Sequence, residues 1–319
     1  MKIVIVGPGA LGSLFAAALA AGTDSEVWLL DKDVERAAQV HGKLLLTKGE
    51  QEFCRFVSAS GEAEKIGAAD LVLLCVKSRD VAAALQAASP LFTEKTMFIA
   101  FQNGISHLDT LARVKLPVPP VIGVTAMGAT LLRPGHVCYG GQGLTRIGFL
   151  SPAGAEKKER LAEIAELFNR AGLPTQQVAN ILDYVWAKLL VNVGINALTA
   201  LHDCANGDLL VIDGARDKLV AAVTEGMVVA RALGIHLPED PVSGTLAVCR
   251  ATAGNISSML QDVRRGRATE IGAINGALID KANELGIDVP VNRELVAGVR
   301  AIEGGYPRKE SRVLCPDRL

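Results

Sequence analysis

The stretch KIVIVGPGALG, from Lys2 to Gly12, decides the fold class of this chain of 319 residues. Its first residues are apolar and β-branched, which is typical of a short strand buried on both faces. A glycine turn follows, and residues 10–21 are rich in Ala and Leu, which predicts a helix. The next apolar run, EVWLL at 26–30, completes a β-α-β unit within about thirty residues.

The same alternation continues along the first half of the chain. Strands that alternate with helices predict an α/β fold with a doubly wound parallel sheet. The Gly-rich, alternating segment 137–149 is expected to add antiparallel strands at the edge of that sheet. The further predicted elements are helices at 34–40, 79–88 and 156–171, and strands at 71–76, 97–101 and 120–124.

The pattern changes near residue 180, where helical periodicity replaces the strand signals. The sequence therefore predicts a C-terminal all-α domain over residues 180–319, after an N-terminal α/β domain over residues 1–179. The predicted helices of the second domain are 181–201, 215–233, 241–253, 256–266, 270–285 and 292–303.

Composition narrows the class of partner. A formal net charge of -1 argues against a basic surface for nucleic acid or for a membrane, so we expect a small-molecule partner. Gly7, Pro8 and Gly9 interrupt the first apolar run too early for a signal peptide or a membrane helix. The six cysteines form no CxxC pair, which favours reduced thiols and a cytoplasmic location over a disulfide frame or a zinc site.

The glycine turn matches the pattern GxGxxG between a strand and a helix. The first glycine permits a tight turn, the second lets the backbone approach a pyrophosphate, and the third allows close packing of helix on strand. An ordinary Gly-rich turn is the alternative, but the β-α-β context favours a Rossmann-type dinucleotide site. The predicted cofactor contacts are Gly7, Pro8, Gly9, Ala10, Leu11 and Gly12.

Three residues at predicted strand ends bear on the choice of cofactor. Asp31 stands where an acid accepts hydrogen bonds from the ribose of NAD, whereas Lys32 could balance the 2'-phosphate of NADP. Lys77, after LVLLCV, could add a second charge. Each lysine could equally be a solvated surface charge. These residues therefore leave NADPH and NADH both open.

A polar stripe marks the predicted helix KLLVNVGINAL. Lys188, Asn192 and Asn196 are each four residues apart, so they differ by about 40° around the helix axis and share one face. That face meets either water or a polar cleft. Asn is a poor helix former, so its repetition favours directed hydrogen bonding in a cleft.

Carbonyl reduction would give the stripe a chemical task. The reaction needs a proton on oxygen as well as hydride on carbon. A partly desolvated ammonium has a lowered pKa, so Lys188 could polarise the carbonyl and donate that proton. The amides of Asn192 and Asn196 could orient the substrate.

Other polar residues have ordinary explanations when they are taken alone. Asn103, in FQNG, and Asn206, before Gly207, could simply form turns. Ser257 and Ser258 begin a predicted helix, where a hydroxyl can act only as an N-cap. Glu270 begins another, where an acid can merely offset the helix dipole.

The motifs together resemble those of the 2-dehydropantoate 2-reductases, also called ketopantoate reductases, over nearly the whole chain. The most specific segments are KLLVNVGINALTAL from Lys188 and SMLQDVRRGRATEIGAING from Ser258. The other matching segments are GPGALGS, VK at 76–77, QNG at 102–104, residues 123–129 and NG at 206–207.

The resemblance implies NADPH-dependent reduction of 2-dehydropantoate, a 2-oxo acid, to (R)-pantoate, on the route to pantothenate and coenzyme A. It implies that Lys188 is the proton donor and that Glu270 is an acid beside the active site that also approaches the cofactor. Asn103 would lie near the nicotinamide and the substrate, and the backbone of Ala129 would contact the cofactor. The implied pantoate ligands are Asn192, Asn196, Asn206 and Ser258.

Some questions stay open. The family usually has an arginine where this chain has Lys32, and lysine lacks the planar fork that suits a phosphate, so NADH remains an alternative cofactor. A reductase of another bulky 2-oxo acid and a non-catalytic dinucleotide sensor are alternative functions. An apolar helical domain could also form a homodimer. The tail at 304–319 could touch a cofactor phosphate, a second subunit or only water.

Overall fold

The computed structural model describes residues 1–306, so the tail from 307 to 319, including Cys315, lies outside the described residues. The other five cysteines are free thiols. The strands are β1 (Lys2–Val6), β2 (Glu26–Leu30), β3 (Leu44–Lys48), β4 (Gln51–Arg55), β5 (Ser58–Ser60), β6 (Leu71–Leu74), β7 (Met97–Ala100), β8 (Val121–Thr125), β9 (Gly128–Arg133), β10 (His136–Gly141), β11 (Thr145–Phe149) and β12 (Thr175–Gln177).

Helices account for most of the remaining chain. The α-helices are α1 (Ala10–Gly22), α2 (Val34–Val40), α3 (Ala63–Ile66), α4 (Val81–Ala87), α5 (Ser106–Arg113), α6 (Ala155–Arg170), α7 (Ile181–His202), α8 (Ala215–Ala232), α9 (Pro241–Ala251), α10 (Ser258–Arg264), α11 (Ala277–Glu284) and α12 (Pro290–Gly304). Short 3-10 turns occupy Ser78–Asp80, Ser89–Leu91 and Asn206–Leu210, and a π-helix occupies Gly272–Gly276.

The main sheet has eight strands in the order β12-β11-β8-β7-β6-β1-β2-β5. Strand β1 pairs in parallel with both β2 and β6, and β7 continues the parallel set to β8. The prediction of a doubly wound α/β sheet followed by a helical region is therefore confirmed. Because parallel strands end at one edge, the residues after β1, β2, β6 and β7 lie at the carboxyl edge of the sheet, where ligands bind in this class of fold.

Burial explains why the first segment of the chain nucleates this sheet. Ile3, Val4 and Ile5 have no exposed surface, as expected for a strand covered on both faces. Helix α1 packs on the sheet through Phe15, whose ring makes edge contacts with Phe101 at 4.8 Å and with Phe168 at 5.6 Å between centroids. The aromatic cluster fixes the helix that follows the glycine turn.

A second sheet, in the order β4-β3-β10-β9, was not predicted. The expectation that residues 137–149 extend the edge of the main sheet was partly wrong. Strand β11 is antiparallel to β8, but β12 forms the edge, and β10 joins the second sheet beside β3 and β9. The reason lies in α1, which is apolar on most of its surface and packs against both sheets.

The helical region follows the predicted helices to within a few residues, with one difference. Residues 270–285 do not form a single regular helix, because the π-helix Gly272–Gly276 precedes α11. Its wider turn is closed by the N-H of Gly276, which donates to the carbonyl of Ile271 at 2.9 Å. Such π-turns are rare and are often found at functional sites.

The chain forms two compact units. One comprises Met1–Leu189 with Ala230–Asp240, and the other comprises Leu190–Val229 with the described chain from Pro241 onward. The domain boundary after residue 179 stays a prediction. Among the described residues, α7 alone is long and apolar enough to cross a membrane, and 67% of its apolar window is buried inside the protein. The core helix of a globular protein has the same properties, so α7 is weak support for a membrane span.

Candidate active site

The turn between β1 and α1 has the backbone that a dinucleotide site requires. Gly7 has φ of 90°, which side chains rarely tolerate. A Cβ atom on Gly12 would lie 2.5 Å from the carbonyl oxygen of Gly7, so a side chain there would push the helix off the turn. At Gly9 a Cβ atom would meet nothing within 4 Å, so this backbone faces open space.

These features fit a pyrophosphate. The first N-H groups of α1, which begins at Ala10, have no acceptor within their own helix, and a helix N-terminus carries partial positive charge. Open space beside Gly9 allows an anion to approach them. The predicted contacts of Pro8, Ala10 and Leu11 belong to the same turn, and their roles stay predictions.

At the end of β2, Asp31 forms an ion pair that the sequence analysis missed. Its carboxylate accepts hydrogen bonds from Nε and Nη2 of Arg36 and, at 3.1 Å, from the backbone N-H of Asp33. Only 2% of the Asp31 side chain is exposed, compared with 39% for Arg36. Hydrogen bonding to Asp31 raises the pKa of Arg36 above its ordinary value.

The two candidate lysines flank one short turn. Lys32 is 79% exposed, and its Nζ lies 3.5 Å from Oδ1 of Asp80 in the turn Ser78–Asp80. Lys77 immediately precedes that turn. The structure therefore brings the chain after β2 close to the chain after β6, although it does not by itself assign either lysine to a phosphate.

Asn103 lies in the loop after β7, and two side chains tie that loop to the end of β6. Ser78 Oγ donates a hydrogen bond to the carbonyl of Asn103 at 2.7 Å. Gln102 Nε2 donates to the carbonyls of Leu74, at 2.8 Å, and Val76, at 3.1 Å. The sequence gives Gln102 no role beyond its place in the QNG motif. In the structure its buried amide sets the position of the neighbouring asparagine.

Ala129 lies on β9 of the second sheet, where it pairs with Tyr139 of β10. Strand β9 packs against α1, the helix that begins at the glycine turn. The structure thus relates Ala129 to the glycine turn through α1. A contact between its backbone and the cofactor stays a prediction.

The polar stripe lies on α7, an unbroken helix of 22 residues. Lys188 and Asn192 are half-buried and Asn196 is 6% exposed, so the stripe is not a fully solvated face. Helical geometry therefore holds the amine and the two amides at fixed spacing, as predicted. Their chemical roles remain predictions.

The structure distinguishes the two adjacent serines at the start of α10. Ser257 is the N-cap, because its Oγ accepts the N-H of Leu260 at 3.1 Å. Ser257 also accepts a hydrogen bond at 2.7 Å from Thr199 on α7, three residues after Asn196. Ser258 is the first helical residue and is exposed, so its hydroxyl is not the helix cap. The hydroxyl pair holds the start of α10 against α7.

Glu270 is 8% exposed and lies directly before the wide turn of the π-helix. Its carbonyl accepts the N-H groups of Ala273 and Ile274. Within the π-helix, Asn275 donates to the carbonyl of Val193 on α7 at 3.3 Å and to Oδ1 of Asn292 at 2.9 Å. Asn275 therefore links the segment after Glu270 to the helix that carries the stripe.

A separate groove of about 480 Å³ lies along α8. None of the residues that line it is a predicted site residue. Apolar side chains and three acids line this groove. Because no predicted site residue lies in it, the candidate active site stays at the residues that the sequence predicts. The lining residues are Asp217, Val220, Ala221, Thr224, Glu225, Val228, Ile287 and Asp288.

Comparisons with known proteins agree with this arrangement. The family model described as ketopantoate reductase PanE/ApbA matches residues 3–152, and the model of the C-terminal part of the same family matches residues 180–303. A 2-dehydropantoate 2-reductase from Halobacterium salinarum is 37% identical over 303 residues, which cover 94% of this chain and 98% of that protein.

Two solved structures extend the comparison. A PanE/ApbA family ketopantoate reductase from Ralstonia eutropha is similar with a TM-score of 0.85 and 32% identity, over 95% of this chain and 99% of that one. D-mandelate dehydrogenase, solved with NADH and anilino(oxo)acetate, is similar with a TM-score of 0.88 and 28% identity, over 96% and 99% of the two chains. Identity and coverage together show that this chain belongs to the ketopantoate reductase PanE/ApbA family.

Proposed function

We propose that this protein reduces 2-dehydropantoate to (R)-pantoate with NADPH, a step toward pantothenate and coenzyme A. The observation that carries the proposal is the half-buried stripe of one amine and two amides on α7, in a chain of the ketopantoate reductase family. The bound cofactor would supply hydride to the substrate carbonyl.

The residues of the chain have distinct tasks in this proposal. Lys188 polarises the carbonyl oxygen and donates its proton to it, so that no free alkoxide forms. Glu270 is the acid beside the site, and it also approaches the cofactor. Four polar side chains hold the 2-oxo acid in position, namely Asn192, Asn196, Asn206 and Ser258, and Asn103 contacts both substrate and nicotinamide.

Cofactor preference for NADPH is supported by the end of β2. The carboxylate that would accept the ribose hydroxyls of NADH is buried and bonded to Arg36. Arg36 and Lys32 then offer positive charge near the place of a 2'-phosphate, and Lys77 lies beside the same turn as Lys32.

The proposal also includes a cytoplasmic enzyme that acts as a homodimer on a small 2-oxo acid. Reduced cysteines support the location. The ground for a second copy as partner is the apolar character of the helical region, in which Val211 and Val228 are exposed. Light scattering coupled to gel filtration measures the number of subunits, and a monomeric mass would exclude the dimer.

The test is a reduction assay followed at the absorbance of the reduced nicotinamide. Purified enzyme is given 2-dehydropantoate with NADPH or NADH in parallel, and then benzoylformate, the oxidised form of mandelate, as a competing substrate. We expect the highest kcat/KM for 2-dehydropantoate with NADPH. A higher value for benzoylformate would favour a reductase of other bulky 2-oxo acids. If the protein binds NADPH or NADH but no 2-oxo acid causes the cofactor to be oxidised, a non-catalytic dinucleotide sensor would be favoured.

A further inference from the structure

Arg146 on β11 stacks on the ring of Tyr184 on α7. The central carbon of its guanidinium lies 4.5 Å from the ring centroid. Arg146 is half-buried, and within residues 1–306 its guanidinium forms no hydrogen bond and no ion pair. Its Nε is enclosed, whereas its two terminal nitrogens are not fully enclosed. A guanidinium that stacks on an aromatic ring can still use its planar fork of donors, so it can bind a planar anion.

Strand pairing places Arg146 near the carboxyl edge of the main sheet. Arg146 lies opposite Val124, and the next residue, Thr125, is the last of β8. Ligands bind at this edge in open α/β sheets. Side chains alternate between the two faces of a strand, so Arg146 points away from Ile147, which is buried in the same core cluster as Phe15 of α1. Arg146 therefore stands on the face of the sheet that α7 covers.

Helix α7 brings its polar stripe to the same place. A Cβ atom on Gly148 would lie 2.9 Å from the Cβ of Ile181, so the first turn of α7 packs closely on β11. Three residues later Tyr184 stacks on Arg146. Tyr184 precedes Lys188 by four residues, and Cβ atoms at that spacing lie about 5–6 Å apart on one helix face. The stack thus lies about one helical turn before the predicted proton donor, within the first compact unit.

The proposed substrate carries a negative charge that only one assigned side chain, Lys188, can balance. In a 2-oxo acid the carboxylate is bonded directly to the ketone carbon, and Lys188 is assigned to the ketone oxygen. The other assigned substrate ligands are neutral amides and a hydroxyl. Asn206, for example, already donates from Nδ2 to Oγ1 of Thr252 at 2.9 Å. An arginine can bind a carboxylate through two parallel charged hydrogen bonds, which a neutral side chain cannot match.

We propose that Arg146 binds the carboxylate of the 2-oxo acid and that the ring of Tyr184 holds its guanidinium in place. The carboxylate then lies about one helical turn before Lys188, with the adjacent ketone oxygen at the ammonium. Arg146 thereby selects substrates that carry a negative charge next to the ketone over neutral ketones. The proposal rests on the proposed function and adds a substrate contact to it.

The test compares 2-dehydropantoate with its lactone, which keeps the carbon skeleton and the ketone but has no carboxylate. Arg146→Met removes the charge and keeps an unbranched side chain. We expect KM for 2-dehydropantoate to rise about 10- to 100-fold with little change in kcat, because the contact is made in the ground state and in the transition state. The value of kcat/KM for the lactone should change less than about twofold. An equal loss for acid and lactone, or an unchanged KM for the acid, would overturn the inference.

Binding of the product gives a second measurement that does not depend on turnover. Isothermal titration of (R)-pantoate into protein saturated with NADP+ should show about tenfold weaker affinity for Arg146→Met, whereas the neutral (R)-pantolactone should bind the variant and the wild type alike. Arg146→Lys keeps the charge without the planar fork and should recover part of the lost affinity. A raised KM for NADPH with unchanged binding of (R)-pantoate would assign Arg146 to a cofactor phosphate and contradict the proposal.

Controls separate the remaining outcomes. Arg170→Gln, at an exposed position at the end of α6, should leave every constant unchanged. If the wild-type enzyme does not reduce 2-dehydropantoate, the proposed function fails, and benzoylformate with its methyl ester tests Arg146 in the same way. If Arg146→Met does not fold, the wild-type preference for the acid over the lactone and its decrease in Arg146→Lys decide. Absence of either one contradicts the proposal.

Discussion

The carboxylate of Asp31 accepts hydrogen bonds from both Nε and Nη2 of Arg36, five residues later in the chain. The acid is buried at the end of β2, and the guanidinium stands in the first turn of α2, partly exposed. In many dinucleotide folds an acid at this position holds the cofactor ribose. Here the acid is engaged by an arginine whose side chain is 39% exposed.

The first prediction concerns Arg36→Gln and the phosphate of NADPH. Loss of the charge should weaken binding of 2',5'-ADP by about tenfold, whereas binding of 5'-AMP, which lacks the 2'-phosphate, should change less than about twofold. Isothermal titration of the two fragments measures this directly. Arg250→Gln, at an exposed position on α9, is the control. Equal weakening of both fragments would show that Arg36 acts on the fold and not on the phosphate.

The second prediction concerns the proton donor. Lys188→Ala should lower kcat for 2-dehydropantoate by about 10²- to 10⁴-fold, because the developing alkoxide loses its general acid. Binding of 2',5'-ADP and the circular dichroism spectrum should stay unchanged, because alanine is a strong helix former and keeps α7 intact. Near-normal turnover by this variant would refute the assigned role.

The third prediction concerns pH and the buried His107 on α5. Burial lowers its pKa to about 4, and neither ring nitrogen has a hydrogen-bond partner among the described residues. The unfolded chain protonates this group near pH 6.5, whereas the folded protein resists protonation until about pH 4. Protonation of His107 in the unfolded chain therefore leaves the free energy of unfolding unchanged above pH 6.5 and lowers it as the pH falls from 6.5 toward 4.

Urea unfolding between pH 7 and pH 4.5 measures that loss. We expect this single group to lower the free energy of unfolding by about 1.4 kcal/mol for each pH unit below 6.5. His107→Leu should remove this part of the slope, because leucine does not titrate. His202→Gln, at an exposed position, should retain the slope. An unchanged slope in His107→Leu would assign the acid sensitivity to other groups.

The fourth prediction concerns two buried amides, Asn275 and Asn292, in the chain that follows Glu270. Asn292, which accepts a hydrogen bond from Asn275, also donates to Glu225, and Glu225 in turn accepts the first N-H groups of α12. Asn275→Leu leaves Oδ1 of Asn292 without its donor, so the free energy of unfolding should fall by about 1–3 kcal/mol.

The midpoint of urea unfolding measures this change in stability. Arg300→Ala, at an exposed position on α12, should cost less than about 0.5 kcal/mol and serves as the control. An Asn275→Leu protein as stable as the wild type would mean that the amide network contributes nothing to the packing of the π-helix.

The strongest sequence patterns predicted the parts of the fold that depend on local signals. The apolar run before Gly7 and the GxGxxG spacing were enough to predict the parallel sheet and the tight turn between β1 and α1. Strands β3 and β4 were missed because they are short and half polar, and because β3 pairs with a partner about ninety residues away. The Gly49 turn between them is the signal that could have revealed the hairpin.

In the candidate site, too, the features that depend on local sequence were predicted and those that depend on tertiary contacts were not. Spacing alone placed Lys188, Asn192 and Asn196 on one helix face, because helical geometry is local. Whether Ser257 or Ser258 caps α10 depends on a shift of one residue in the helix start, which a sequence does not specify. The pairs Asp31 with Arg36 and Asn206 with Thr252 depend on side-chain directions, so only the structure shows them.

The position of the second sheet in the chain has a consequence for biosynthesis. Helix α1 leaves the ribosome early, but β9 and β10, which pack against it, end only at Gly141. Until then the nascent chain keeps one apolar side of α1 in water, where other chains can reach it. Because Phe168 of α6 also packs on α1, translation must pass both the second sheet and α6 before the N-terminal unit can bury its central helix.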